Sequence, residues 1–556
     1  MPFFLKKFAM FKRTCSARHL GFLIIIVVLA VGLYGNFLSS PIFFDDLPFF
    51  MLNSRGSQPI DSYFYSWNEI RSLPYTTLAW TKKYFGPNLV GFRIGNLILH
   101  IATVVAMYAL LARVFVARYI PKDGKSLTAY DLACIGVVVF ALHPVATYAV
   151  GYLVQRTILM ATLFCVLAMW VCAAAVIEKN NALFWLCVPL YYFAVFSKEH
   201  AIMLPCVLAS LALYLADNRR NIVSIIWKPM LAMICVALLV VGSKFGMLGT
   251  AYEPEADKML DAAMLPHAYI FSIITQCGLF FKYMWLWFVP NIDSMSIDMR
   301  EVFAETIFSY RSIFVFIYLS WGMVGASLII KGGSRGLIGL SMFVPWTFYL
   351  TELAAVRVQE PFVLYRSYLW AAGAMFALPV LLKNVTKAQA CLVVPIVSIF
   401  LSILSMERLA TLSNQILIWE DAKKLLVGKE QVKGAERIYY NLGRHLLIAN
   451  MYSESEKNTK KAIEIDENFA QAHGLLGAVY NATQQWDKAI FEYNISRDIN
   501  ASRNEPVSPI YLMGRARAYE GLGNSQLAIR DYFDACGIDI RACDHLKRLE
   551  KQHKEN

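Results

Sequence analysis

The chain has 556 residues, of which 58% are hydrophobic, 14% aromatic and 17% charged, with a formal net charge of +12; its mean hydropathy is +0.48. So large an apolar share excludes an ordinary soluble domain and reads as a polytopic membrane protein. The positive excess does not point to nucleic acid, because much of the Lys and Arg lies in short segments flanking apolar spans, where such residues orient membrane proteins.

Lys6, Lys7, Lys12, Arg13 and Arg18 precede a first apolar run at about residues 20–38, of the length a bilayer needs. No small-residue cleavage site follows it, so it reads as a retained span. Next comes Pro41-Ile-Phe-Phe-Asp45-Asp46-Leu-Pro48. Two carboxylates at the mouth of a bilayer are a functional signal by default; the plainer alternative is a helix cap or a solvated loop start. The loop 39–87 that holds them also carries Asp61, Glu69 and Arg71, interleaved with Tyr63, Phe64, Tyr65, Trp67, Tyr75, Trp80 and Tyr84. That composition suits amphipathic helices lying on a membrane face.

Further apolar runs fall near residues 88–112, 131–149, 153–176, 182–197, 201–216, 228–248, 312–330, 336–351, 368–382 and 389–406. The intervening positive segments, 113–125, Lys179, 217–228, 331–335 and 383–387, should share the cytoplasmic face. About eleven crossings satisfy all of them. They place the loops 39–87, 143–156, 197–200, 249–311 and 352–367 outside, together with the C-terminus. Residues 266–290 are long enough to cross, but a crossing there would reverse every later loop. They read instead as a re-entrant or interfacial pair of half-helices, with Lys282, Trp285 and Trp287 at the interface. The acidic loop 249–265 reads as a mobile cover or a solvated connector.

Nine of the eleven cysteines lie in or beside the apolar region without CxxC or Cys/His spacing, so they read as packers and signal no metal site. Cys536 and Cys543 lie in the polar C-terminal part, and their spacing leaves open whether they bridge in an oxidising compartment.

After Met406 the hydropathy falls and a helical repeat begins. LGAVYNATQQWDKAIFEY, from Leu476, shows small and aromatic residues spaced as in a tetratricopeptide repeat, with Leu476, Gly477 and Tyr480 on one helix and Ala489 and Tyr493 on the next. Residues 511–535 repeat it with Ala516, Tyr519, Gly523, Ala528 and Tyr532, and a weaker copy, YYNLGRHLL, lies 34 residues before the first. Three copies and a charged end helix are about the minimum for a self-supporting stack. The chain therefore divides into a membrane domain at 1–406, a linker helix at 407–434 and repeats with a capping helix at 435–556.

Several short motifs occur in a fixed order: FFDDLPFF, RSLPYTTLAW, GFRIGNLILH, HPVATYAVGYLVQRTILMATLF, FSKEHAIMLP, EPFVLYRSYLW and IWEDAKKLL. Together with the repeat tail, they resemble the GT-C superfamily of membrane glycosyltransferases, and most of all the TMTC-type O-mannosyltransferases and their bacterial tetratricopeptide-bearing relatives, such as the TfpW-type pilin glycosyltransferases. The resemblance implies an all-α GT-C bundle that transfers a monosaccharide, with inversion, from a polyprenyl-phosphate donor to a protein Ser/Thr hydroxyl on the periplasmic side of an inner membrane. It makes an acid of the first outside loop the base, here Asp45 with Asp46 beside it. A hydroxyl is a poor nucleophile until its proton is removed, and a leaving phosphate needs cations. By the side count Arg71, Arg156, Lys198, Arg357 and Arg366 are available for that purpose; His143 stands in the HP motif, and Glu199 reads as a partner of Lys198.

The chain departs from the family where Tyr148 follows Thr147 and where Gln155 precedes Arg156, and its repeat array is short. Sugar identity is therefore left open. A monophosphate donor needs only Arg and Lys, whereas a pyrophosphate donor calls for a divalent cation, Mg or Mn. Two rival readings are a lipid-linked sugar flippase, which should carry charges deep in several spans, and a non-catalytic repeat scaffold. The expected partners are the lipid donor, membrane lipid and an acceptor protein, with no nucleic acid.

Overall fold

The computed structural model describes residues 17–51, 58–243, 249–250, 260 and 264–555. Lys6, Lys7, Lys12 and Arg13, and most of the loop 249–265, lie outside the described residues. Within them the chain is all-helical, without a strand, and an isolated antiparallel bridge joins Ser126 to Thr386. It divides into two units. The first comprises residues 1–46, 63–295 and 303–413, and the second residues 47–62, 296–302 and 414–556.

Among the described residues of the first unit six helices are long and apolar enough to cross a membrane: Leu89–Arg118, Leu153–Ile177, Arg219–Ser243, Tyr310–Lys331, Gly333–Ala354 and Lys387–Leu412. The bent pair Ala129–Leu142 and Pro144–Val150 makes a seventh if counted as one span, and His19–Gly35, Asn181–Ser197 and Glu199–Leu215 are apolar but shorter. Local signals set the starts. Asn88 accepts the Val90 N–H at 3.0 Å, and reciprocal capping boxes at Thr128/Asp131 and Thr386/Gln389 satisfy backbone donors that the first turn leaves unpaired. The bent pair turns by 61° at His143-Pro144. Proline has no N–H for the ladder, so the helix stops there, and the His143 imidazole restarts it by accepting the Val145 N–H at 3.2 Å. Small residues set the closest approach. A Cβ on Gly339 would lie 2.6 Å from the Ile329 nitrogen and 2.7 Å from the Gly325 carbonyl oxygen, so the Ile313–Lys331 and Gly333–Tyr349 helices touch backbone to backbone.

The positive segments meet at one end of this bundle, where Leu89–Arg118 finishes. Arg118 and Lys179 approach Asp217 at 3.9 and 3.8 Å, Arg113 pairs with Glu178 at 2.8 Å, Arg219 donates to the Ile330 carbonyl, and Lys387 donates to the Gly124 carbonyl at 2.9 Å. The loops holding Asp45, Lys198, Glu352 and Arg366 lie at the opposite end.

Residues 266–290 differ from expectation: they form one unbroken helix, Ala268–Phe288, about 31 Å long at 1.5 Å per residue, not a pair of half-helices. The helix itself contains no proline, Pro266 and Pro290 lying just beyond its ends, and its polar side chains are satisfied without a break. Ser272 accepts the Arg357 N–H at 3.0 Å, Gln276 donates to the Pro361 carbonyl at 2.8 Å, and Trp287 donates to the Ser367 hydroxyl at 2.8 Å. The helix therefore runs along residues 355–367 for its whole length.

In the second unit, consecutive antiparallel pairs stack: Ala435–Ile448 with Tyr452–Ile465, Ala470–Ala482 with Trp486–Ser502, and Pro509–Gly521 with Ser525–Cys536, followed by Ile540–Glu555. Leu476, Tyr480, Ala489, Tyr493 and Ala518 form one buried cluster, and Ala516, Ala528 and Tyr532 belong to the next. The repeated glycines mark where paired helices cross. A Cβ on Gly443 would lie 2.5 Å from the Thr459 hydroxyl, and one on Gly477 would lie 2.9 Å from the Tyr493 ring. Cys536 and Cys543 form a disulfide between the last two helices. Residues 296–300 are buried in this unit, where Arg300 pairs with Asp298 at 2.7 Å and Lys429 donates to the Arg300 carbonyl at 2.7 Å. The Lys387–Leu412 helix continues through position 406, and the division between units falls after Ser413.

Candidate functional site

Phe44, Asp45 and Asp46 form a single 3₁₀ turn. Phe44 adopts φ +52°, a left-handed conformation that costs a residue bearing a Cβ about 1 kcal/mol, so other contacts must hold the turn. Residues 152–154 supply them. The Asp45 N–H donates to the Tyr152 hydroxyl at 2.5 Å, and the Asp46 carboxylate accepts the backbone N–H groups of Leu153 at 3.3 Å and Val154 at 2.9 Å. Those N–H groups open the 3₁₀ turn Leu153–Gln155 and have no partner within it. Asp46 is thus an anchor, wholly buried, whereas Asp45 is only partly covered. Burial pushes the Asp46 carboxyl up to about 7, with Asp45 adding to the rise and the two N–H groups and Arg93 opposing it.

Lys198 lies beside this turn. Its buried amine is 3.4 Å from the Gln155 side-chain oxygen and 5.3 Å from the centre of the Tyr365 ring, which packs edge-on to Tyr152 at 6.1 Å. Burial pushes the amine down to about 7, Arg71 and Arg366 push the same way, and Glu199 and Asp45 pull against them. A bound anion would restore the charge.

Arg71 is held at φ +67°, with its N–H on the Phe196 carbonyl at 2.7 Å. Its guanidinium clamps Glu199 through both Nη2 and Nε, the latter at 3.0 Å. Glu199, expected beside Lys198, therefore takes Arg71 as its ion-pair partner. His200 links the next acid: its Nδ1 is 3.8 Å from Glu199, and its Nε2 is 2.8 Å from Glu352. Glu352 in turn lies 3.0 Å from Arg366 and 3.5 Å from Arg357. Burial works against the Arg366 charge, but Glu352 outweighs it and holds the guanidinium well above its ordinary range. Glu360, six residues before Arg366, offers its backbone carbonyl at 3.3 Å, and the Glu352 carboxylate pairs with the guanidinium.

Asp45, Asp46, Arg71, Lys198, Glu199, Arg357 and Arg366 are thus joined in one network. Arg156 and His143 are engaged elsewhere. Arg156 donates to Asn96 at 2.9 Å, to the Thr77 carbonyl and the Thr81 hydroxyl at 3.0 Å, and to the Phe92 carbonyl at 2.8 Å, tying Ser72–Phe85 to Leu89–Arg118. His143 caps its helix and stacks on Trp287 at 4.3 Å. Sequence reasoning missed Tyr152, Gln155, His200, Glu352 and Tyr365. Glu352 did carry a signal, as an acid immediately after an apolar span.

A divalent cation would need carboxylates open to it. Asp46, Glu199 and Glu352 already receive N–H donors or cationic side chains, and among the described residues no group of His, Cys, Asp and Glu is arranged to hold a metal. No family model matches the chain, and no curated protein matches it. The class defined by fold and site is an all-helical chain with several helices long and apolar enough to cross a membrane, carrying a buried acid–cation network at one end.

Proposed function

We propose that the protein is an inverting membrane glycosyltransferase of GT-C type, which moves a monosaccharide from a polyprenyl-phosphate donor to a protein Ser/Thr hydroxyl. Asp45 takes the hydroxyl proton, the oxygen bonds to the anomeric carbon, and the bond from that carbon to the phosphate oxygen breaks with its electron pair remaining on the phosphate. Lys198, Arg366 and Arg71 face the growing negative charge. The observation that carries this reading is the meeting of a partly covered acid with a partly neutralised amine and clamped guanidinium groups, at the end of the bundle away from the positive loops.

In this reading eleven crossings separate those ends. The shorter helices 17–35, 181–197, 199–215 and 368–381 cross with the longer ones, and Ala268–Phe288 stays at the outer face, because its first turns contact residues 355–357 and its last turn contacts Ser367. The site then opens to the periplasm. The C-terminal helical pairs, read as tetratricopeptide repeats, lie on the same side and recruit the exported acceptor, with a pilin as one candidate. The Cys536–Cys543 disulfide suits that oxidising compartment.

The test is intact-mass analysis of exported proteins from cells making the wild-type chain or Asp45→Asn. Transfer predicts proteins that carry a sugar-sized mass increment with wild type and lack it with the variant. An unchanged glycoform pattern with Asp45→Asn would sink the proposal and favour a scaffold or a flippase.

A further inference from the structure

The four residues Tyr152-Leu-Val-Gln155 reach three separate parts of the site. The Tyr152 hydroxyl accepts the Asp45 N–H, the Leu153 and Val154 amides bind Asp46, and the Gln155 side-chain oxygen faces the Lys198 amine at 3.4 Å. Tyr152 and Gln155 are both buried, and the Tyr152 ring is fixed between Phe43 at 5.0 Å and Tyr365 at 6.1 Å. One short turn therefore sets the spacing between the acid and the amine. We propose that Tyr152 and Gln155 are positioning residues, Tyr152 aligning the Asp45 base and Gln155 the phosphate-facing amine of Lys198. This rests on the transfer reading above.

The argument is one of geometry. Asp45 follows a residue with left-handed φ, so its backbone has a higher-energy starting point and needs a fixed acceptor to keep the carboxylate aligned. The Tyr152 hydroxyl provides that acceptor from a ring that cannot swing. Burial, with Asp45 and Asp46 beside it, pushes this hydroxyl well above its ordinary range, so it remains protonated and neutral while it accepts the bond. Gln155 works differently. The nearest cations to Lys198 repel it, and the side-chain amide supplies a neutral oxygen that holds the amine without cancelling the charge a phosphate would meet.

The two residues should therefore fail in opposite ways. Full-length protein in nanodiscs would be given synthetic undecaprenyl phosphate mannose, glucose or N-acetylglucosamine, with release of free sugar to water as the readout on whichever donor wild type hydrolyses. Tyr152→Phe retains the ring packing, so its melting midpoint should stay close to wild type. Its kcat should fall about ten- to a hundredfold with KM little changed, as for a misaligned base. Gln155→Met should instead raise KM several-fold and leave kcat nearly intact. Adding Tyr152→Phe to Asp45→Asn should cost no further rate, because the two act through one group.

Equal loss of kcat and KM performance in both variants, or wild-type kinetics in Tyr152→Phe, would overturn the inference. If Asp45→Asn abolishes release while Tyr152→Phe does not slow it, the positioning role fails and the transfer reading survives. If wild type releases no sugar from any donor, or Asp45→Asn releases it normally, the transfer reading fails and takes this inference with it.

Discussion

Adjacent aspartates in this chain have unlike surroundings, and their substitutions should separate accordingly. Asp46→Ala removes the acceptor of two buried N–H groups and should lower unfolding free energy by about 2 kcal/mol or more, read by thermal or denaturant unfolding in detergent. Its titration carries a sign. The folded chain holds the Asp46 proton up to about 7, whereas an ordinary Asp carboxyl loses it near 3.8, so stability contributed by this group falls as pH rises from about 4 to about 7. Lys198 acts in the other direction. Its amine is lowered from 10.5 to about 7, so its contribution rises across that interval. Unfolding measured over a pH series should lose the acid-side slope in Asp46→Asn and the alkaline-side slope in Lys198→Met. At this scale the motif FFDDLPFF was legible, and so were Arg71, Lys198, Glu199, Arg357 and Arg366, because charges are conspicuous among apolar residues. Tyr152 and Gln155 were not, because a tyrosine and a glutamine next to a span have many uses, and only the fold brings them to Asp45 and Lys198. Arg156 carried the same signal as Arg366, yet its guanidinium is taken up by carbonyl and hydroxyl oxygens of neighbouring helices.

Among the elements, helix crossings and the disulfide make the firmest tests. Gly477→Val would push side-chain atoms into the Tyr493 ring, which even a Cβ would approach to 2.9 Å, and should destabilise the repeat stack by about 1 to 3 kcal/mol in circular dichroism melts. Reducing Cys536–Cys543 should lower the melting midpoint of the same stack, by about 2 kcal/mol of unfolding free energy, and a maleimide should label both thiols only after reduction. The helical pairs were readable because small and aromatic residues recur along this part of the chain and pack between the helices. The Ala268–Phe288 helix was misjudged in form. Half-helices were expected because a crossing there would reverse every later loop and because Lys282, Trp285 and Trp287 suit an interface, but Ser272 and Gln276 bond sideways to residues 355–367 and leave the helical ladder intact.

For the whole molecule, orientation is the decisive expectation. A reporter active only outside the cytosol, fused after residue 556, should be active, and cysteines introduced at Lys122 and Asn384 should be shielded from an impermeant maleimide added to intact cells. An inactive terminal fusion, or labelling at those loops, would reverse the proposed sides. The alternation of apolar runs and positive segments was visible in sequence, and it is the pattern that a bilayer would impose. What lay beyond it was depth. The buried chain from Glu199 through His200 to Glu352 joins positions about 150 residues apart, and no local pattern announces such a join.

The turn at 152–155 behaves as a ruler whose marks are backbone amides and two side chains. Lengthening it by a single residue would leave every helix able to form, yet no register would then let its marks meet acid and amine together. Sequence change is therefore free to enter the surrounding loops, but not the length of that turn.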